Sequence, residues 1–266
     1  MDGVLAFRLH GPTASWGTVE AGVERRPSSR DPGRGAVLGL LAAALGLARE
    51  DGPAQAALSD RVRVAVCGHG PRRLVQDFRT VQTIGARRGD DFPTRGHALR
   101  RAKIVHTLTG WRQHVEDGSW RVFAASAGTD LAVLEGALQR PVFGLCLGRR
   151  EHALALPPDP RIVEGGLLAA MAAYPPQPGI VWKEHGDLDV GAWLLDRVCS
   201  RGDGDVWWDP GFPGAPEGNG RHVVDQPVSR TQWRFRGREQ RWASEADLKA
   251  ASGRAPSAMS FFEDDR

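Results

Sequence analysis

Lysine is scarce in this chain: only three of its 35 basic residues are Lys, a bias that fits a GC-rich coding sequence and leaves arginine as the working cation. Cysteine is scarcer than a staple needs. Cys67, Cys146 and Cys199 are far apart, odd in number and without CxxC spacing, so reduced thiols fit better than a disulfide framework or a metal site. There is a single tyrosine, Tyr174. No apolar run reaches eighteen residues, and the longest candidate, 36–48, is too short to span a bilayer. The opening Met-Asp-Gly-Val-Leu lacks a charged segment followed by an apolar one, so no signal peptide and a cytoplasmic location are expected. HExxH, HxH and paired Cys/His spacings are absent, as are GxSxG and a P-loop lysine. No metal, cofactor or catalytic nucleophile is therefore expected.

What is present is enough chain for a real core, with 266 residues that are 41% hydrophobic and 25% charged. The net charge of +3 is unevenly spread. Residues 72–103 hold nine Arg/Lys and three Asp, a local +6 that leaves −3 for the remainder. A basic block on a near-neutral protein suggests a defined polyanion site, the alternative being a solvated loop coloured by codon bias.

Hydropathy patterning predicts strands over 4–9, 61–67, 74–81, 104–108, 122–125 and 142–147, with helices over 36–48 and 131–138. The turn at 69–71 would make a hairpin of 61–67 and 74–81. Residues 10–35 read as a polar loop. The Arg/Gly/Asp-rich stretch 83–95 has few apolar anchors and reads as a protruding loop or mobile hairpin. This order suits an α+β sandwich of the ferredoxin-like (RRM-like) type with a basic insertion near 83–101. After 156 the composition shifts: two Pro-rich stretches bracket a short helix, 201–220 reads as an irregular surface loop, a last strand falls at 223–235, and the tail 263–266 is polar and frayed. We therefore expect residues 1–156 to form a ferredoxin-like domain and 157–266 a smaller irregular β region packing on it.

Three constellations could carry chemistry. The loop Pro32-Gly33-Arg34-Gly35 leads into the long helix, where freed backbone amides and Arg34 could hold a phosphate; a plain helix start is the bland alternative. The segment 74–82 leads into Arg87, Arg88 and Arg95, and arginine's planar fork suits RNA phosphates and bases. Phe78, inside a strand, reads as core, and Phe92 is open to either role. His10, His106 and His114 could serve acid–base cleavage of RNA, but each stands isolated in sequence, where a packed histidine is the commoner outcome.

Four ordered motifs carry a resemblance. Phe7-Arg-Leu-His-Gly-Pro-Thr-Ala-Ser-Trp-Gly17, the run 32–46, Asp77-Phe-Arg-Thr-Val-Gln82 and Pro141-Val-Phe-Gly-Leu-Cys-Leu-Gly-Arg-Arg150 resemble the CasD-type subunits of type I-E CRISPR complexes. Asp225-Gln-Pro-Val-Ser229 resembles a late segment of the same family. The resemblance implies membership of the repeat-associated mysterious protein superfamily and a thumb-like insertion. It also implies a non-catalytic role in antiviral defence: binding the 5′ handle of the CRISPR RNA and capping the backbone filament, beside the backbone subunit and the large subunit of Cascade. It points to Arg26, Gly33, Arg34, Gly35, Arg79, Gln82, Arg87, Arg88, Arg95 and Arg100 as RNA contacts, with Trp16 shaping the loop or merely packing. Gly33, Gly35 and Ala36 replace the family's Thr, Ser and Gly, and Arg79 replaces its His. The rival is a metal-independent endoribonuclease, as in type I-C relatives. Those use a Tyr-containing site, and Tyr174 lies outside the matched motifs. A pure protein scaffold conflicts with the +6 block.

Overall fold

The first strand, β1 (Gly3–Ala14), is buried on both faces for most of its length, which only happens when both sides of a sheet are covered. Leu5, Phe7 and Leu9 face one core, and Val4 and Ala6 face another. The computed structural model describes residues 3–18, 24–84, 92–101, 105–126, 130–175, 204–229, 232 and 234–253. After β1 come three two-residue strands, β2 (Trp16–Gly17), β3 (Arg25–Arg26) and β4 (Ser28–Ser29). Helix α1 (Arg34–Leu45) and helix α2 (Gly52–Arg61) lead into β5 (Val62–His69) and β6 (Arg73–Ile84). Then follow α3 (Arg95–Arg101), the long β7 (Val105–Ser126), α4 (Leu131–Gln139), β8 (Arg161–Glu164) and α5 (Leu167–Ala173). The described chain closes with β9 (Asp205–Trp208), β10 (Asn219–Ser229), β11 (Arg234–Ser244) and α6 (Glu245–Gly253).

The sheet order is β10-β11-β9-β5-β7-β1-β8, antiparallel along this path, with β6 (antiparallel) and the short β3 (parallel) pairing further along β7. Helices α1, α2 and α4 cover the face carrying Val62, Val64 and Val66. Helices α5 and α6 cover the face carrying Ala65, Cys67 and Phe123. This is an α+β fold on one large antiparallel sheet.

Several sequence expectations need correction. Strands 61–67 and 74–81 do not form a hairpin with each other. Both pair with β7, β5 against its second half (119–126) and β6 against its first (105–116). What read as two strands at 104–108 and 122–125 is one 22-residue strand. Residues 142–147 are not a strand but a strap: Val142 N and Phe143 N donate to the carbonyls of Ala44 and Ala43 in the last turn of α1. Gly46 ends that helix in the left-handed region at φ 77°, and a Cβ there would lie 2.9 Å from Val142. The polar loop of 10–35 is partly strand, since β1 runs on to Ala14. The stretch 201–220 is no simple surface loop, because β9 buries Trp207 and Trp208 between β5 and β11. The expected last strand is a pair, β10 and β11. The tail 263–266 lies outside the described residues.

Candidate nucleic-acid interface

Strand β7 changes environment at its middle. From Val115 onward it is mostly buried core; from Val105 to Trp111 it is mostly exposed. Its outer half pairs with β6 in unbroken register, Arg73 opposite Glu116 through Ile84 opposite Val105. The result is a two-stranded ribbon running off the main sheet. Because directly opposed residues share a face, the register gives the ribbon two different sides. One side carries Leu74, Phe78, Trp111, Gln76, Gln82 and a set of threonines, with no charge. The other carries Arg73, Asp77, Arg79, Arg112, His114 and Glu116.

On the uncharged side Phe78 and Trp111 stand opposite each other, with ring centroids 4.8 Å apart and planes tilted by 52°. Phe78 is 53% exposed and Trp111 40%, so Phe78 is not the core residue its strand position suggested. Two large aromatic faces open to solvent on a ribbon flanked by arginines are what single-stranded nucleic acid binds, by stacking bases and neutralising phosphates. Strand β3 lies alongside, with Arg25 next to Trp111 and Arg26 next to Arg112.

The charged side meets the segment 149–152 at the root of the ribbon. Arg149 Nη2 donates to Gln113 O at 3.1 Å, and its Nη1 lies 3.6 Å from Glu151. Arg79 Nη2 lies 3.4 Å from Glu151 and 3.7 Å from Asp77. Burial and then the Arg112 guanidinium hold the Arg149 pKa below its ordinary value, against the opposing pull of Glu151. Burial works against ionisation of Glu151, yet Arg79, His152 and Arg149 together hold its carboxyl below the usual range. Arg112 stands between Asp77, opposite it on β6, and Arg26, beside it on β3, and makes no ion pair within 4.0 Å among the described residues. His114 lies between Asp77 (3.3 Å) and Glu116 (3.6 Å), and its ring stacks on His152 with centroids 6.1 Å apart. Thr13 Oγ1 shares a 2.7 Å hydrogen bond with His152 Nδ1.

The other sequence-derived candidates divide sharply. Arg34 is not available to RNA. Its Nε donates to Asp209 at 2.8 Å, Nη1 to Ser59 Oγ at 2.9 Å and Nη2 to Val62 O at 2.9 Å, all within the protein. The helix start at Gly33 and Gly35 already holds an anion: Asp225 accepts from Arg34 N at 3.2 Å. A Cβ on Gly35 would lie 3.0 Å from the Asp225 carbonyl, so the glycines serve the docking of β10 rather than of a phosphate. Arg238 closes the ring, donating to Asp225 at 2.6 and 2.9 Å and to Asp209 at 2.8 Å. The late motif Asp225–Ser229 is thus the partner of the Gly33–Gly35 motif.

Trp16 is a packing residue, 3% exposed and edge-on to Trp120 at 5.1 Å. Arg26 and Gln82 are exposed, on β3 and the ribbon respectively. Arg95 Nη2 donates to Gln82 O and so ties α3 to the ribbon, where Arg100 and Arg101 are exposed. Phe92 is half-buried, edge-on to His97. Arg87 and Arg88 lie outside the described residues. The three histidines play unlike parts: His10 and His114 are buried and His106 is exposed on the outer ribbon. Tyr174 is buried, and its phenol donates to Asp159 O at 2.8 Å. Arg112 and Arg149 escaped the sequence reading, although Arg149 stood inside a quoted motif.

A second polar cluster is internal. Cys67, His69 and Glu245 bring ligand atoms within 4.8 Å of one another, but Arg121 already fills the space among them. It donates to Glu245 Oε1 at 2.6 Å and, through Nε, to His69 Nε2 at 2.9 Å. Burial pushes the Cys67 thiol up to about 12. A guanidinium bonded to all three would-be ligands, one of them a thiol that resists ionisation, disfavours a cation. Accepting from Arg121 requires the lone pair on Nε2, so His69 is neutral; burial first and Arg121 second push its pKa down to about 3. A folded-state value below the unfolded one means that unfolding takes up a proton. Stability is therefore full above pH ~6.5 and falls as pH drops toward 3, by up to about 1.4 kcal/mol per pH unit from this group. Urea melts of the wild type and His69→Gln between pH 7 and 4 should show a shallower acid loss in the variant. Equal slopes would contradict the assignment.

The comparisons with known proteins follow the same lines. A family model described as CRISPR-associated protein (Cas_Cas5) matches residues 4–241, and the chain belongs to that family. It is also 34% identical over 163 residues to the CRISPR system Cascade subunit CasD of Escherichia coli strain K12, covering 59% of this chain and 70% of the relative. That likeness agrees with the CasD-type motifs in the sequence. Among solved structures, a chain of a CRISPR RNA-guided surveillance complex matches with a TM-score of 0.55 at 19% identity, covering 91% of this chain and 89% of that one. A structure described as a Cas protein matches with a TM-score of 0.53 at 25% identity, covering 91% and 94%. Among the described residues no helix is long and apolar enough to cross a membrane.

Proposed function

We propose that this chain is a non-catalytic subunit of a cytoplasmic CRISPR RNA-guided surveillance complex, where it binds the 5′ handle of the CRISPR RNA and caps the backbone filament beside the backbone and large subunits. The observation that carries this reading is the ribbon of β6 and β7, which sets an exposed aromatic pair on one side and an arginine-rich root on the other. The likeness to CasD, whose name makes it a Cascade subunit, supports the assembly. The sheet order β8-β1-β7-β5, with α1 and α4 on one face, supports a ferredoxin-like core. Helices α5 and α6 cover its other face, which leaves the ribbon rather than the sheet to meet RNA. The ribbon's tip, with α3 and its Arg95, Arg100 and Arg101, is the thumb in this reading.

The endoribonuclease alternative needs an accessible Tyr and a working histidine pair. Tyr174 is buried with its phenol engaged, which weighs against it. The test is to titrate the full chain with handle RNA at 50 to 200 mM salt and to incubate it with repeat RNA. Binding should weaken with a slope of roughly 0.7 log units per phosphate contact on a single strand, and the RNA should stay intact. Affinity indifferent to salt would contradict the proposal, and cleavage would revive the nuclease.

A further inference from the structure

Glu151 is an acid in the wrong place for a surface that binds a polyanion. It projects into the arginine cluster at the ribbon root, 3.4 Å from Arg79 and 3.6 Å from Arg149, while its own side chain is 45% exposed. Both contacts are looser than a charge-assisted hydrogen bond of 2.7–2.9 Å, and a pair this open to solvent is weak. Arg112, across the ribbon from Asp77, is close enough to depress the Arg149 pKa and makes no ion pair within 4.0 Å among the described residues. The root therefore holds three guanidinium groups with two loosely held carboxylates, Asp77 and Glu151, and only Glu151 bridges Arg79 and Arg149.

We propose that Glu151 is a built-in placeholder in a phosphate site: its carboxylate bridges Arg79 and Arg149 where a phosphodiester of the guide RNA binds, and it is displaced to water when the RNA arrives. The inference rests on the RNA-binding reading above and adds a residue that works against binding. A phosphodiester and a carboxylate both carry one negative charge on two equivalent oxygens, so the exchange keeps the charge of the root unchanged. The phosphodiester gains Arg112 as a third cation, and Glu151, already half in solvent, regains its hydration at little cost. A competing carboxylate also lowers the pull of the root on any stray polyanion, so that only an RNA held elsewhere along the ribbon takes the site. This is discrimination by an unfavourable element rather than by an added contact.

The test compares full-length wild type, Glu151→Gln, Glu239→Gln and Arg149→Ala/Glu151→Gln for binding to a synthetic RNA of the handle at fixed salt, with melting curves as a folding check. Glu239, on β11 with its side chain 70% exposed, controls for net charge. Glu151→Gln should bind roughly two- to fivefold tighter than wild type, the worth of one exposed ion pair. Glu239→Gln should change affinity by less, and removing Arg149 should abolish the gain. If the wild type binds RNA but Glu151→Gln binds equally or more weakly, or gains no more than Glu239→Gln, the placeholder is refuted while the RNA reading survives. If the wild type binds no handle RNA, the RNA reading itself fails and the placeholder with it.

Discussion

Replacing Arg34 by Ala should cost about 3–5 kcal/mol of unfolding free energy, the usual penalty for breaking a buried ion pair from one side. The side chain is 8% exposed and Asp209 5%, so what remains is a desolvated network short of one cation. Arg34 also satisfies Ser59 and the Val62 carbonyl, at the junction of α2 and β5. Asp209→Ala should be at least as damaging, because it takes the carboxylate partner of the Arg34 side chain, one of the two carboxylates of Arg238 and the acceptor of Val64 N. Against a typical total of 5–15 kcal/mol, either change takes a large share of stability. Urea denaturation measures it. RNA affinity per folded molecule should be unchanged in Arg34→Ala. A variant as stable as wild type that has lost RNA affinity would restore Arg34 to the role its sequence motif suggested.

That exchange of roles shows where sequence reasoning stops. The freed amides before α1 do hold an anion, as a helix N-terminus can. The anion, however, is Asp225, 191 positions further along. No local pattern distinguishes an internal carboxylate from an external phosphate; only the docking of β10 does. Helix α2 went unread despite its local signals: Asp51 caps it by accepting from Ala54 N, and a proline sits in the first turn. The Gly, Asp and Pro around β9 hid a buried strand whose own signal was two adjacent tryptophans.

The strands and helices of the first half were legible because their apolar periodicity coincides with burial, as in Val62, Val64 and Val66. The site was legible as a basic block but not as a surface. Phe78 and Trp111 are 33 residues apart and meet only through the ribbon register, and a strand Phe with one exposed face looks in sequence like any core Phe. Arg112 and Arg149 lie outside the 72–103 block whose charge drew attention. Their grouping with Arg79 arises because the segment after the strap returns to the ribbon root through Gln113.

Loss of the aromatic pair should be the most damaging change to RNA binding that leaves the fold intact. Each base stacked on an aromatic side chain is worth about 1–3 kcal/mol by alanine substitution. Replacing both Phe78 and Trp111 should then weaken handle RNA binding at least about tenfold. The rings are half open to water and their mutual contact is worth only about 0.5–1.5 kcal/mol, so the melting temperature should move little. Phe78→Leu/Trp111→Leu keeps apolar bulk on the ribbon without a stacking face and separates ring stacking from simple loss of volume. The deciding measurement is the dissociation constant of the full-length protein for handle RNA at one fixed salt concentration, wild type against this double leucine variant. The account predicts a loss of about tenfold or more with the fold retained. An affinity equal to wild type, in a variant that melts like wild type, would contradict the claim that this ribbon is the RNA-gripping surface.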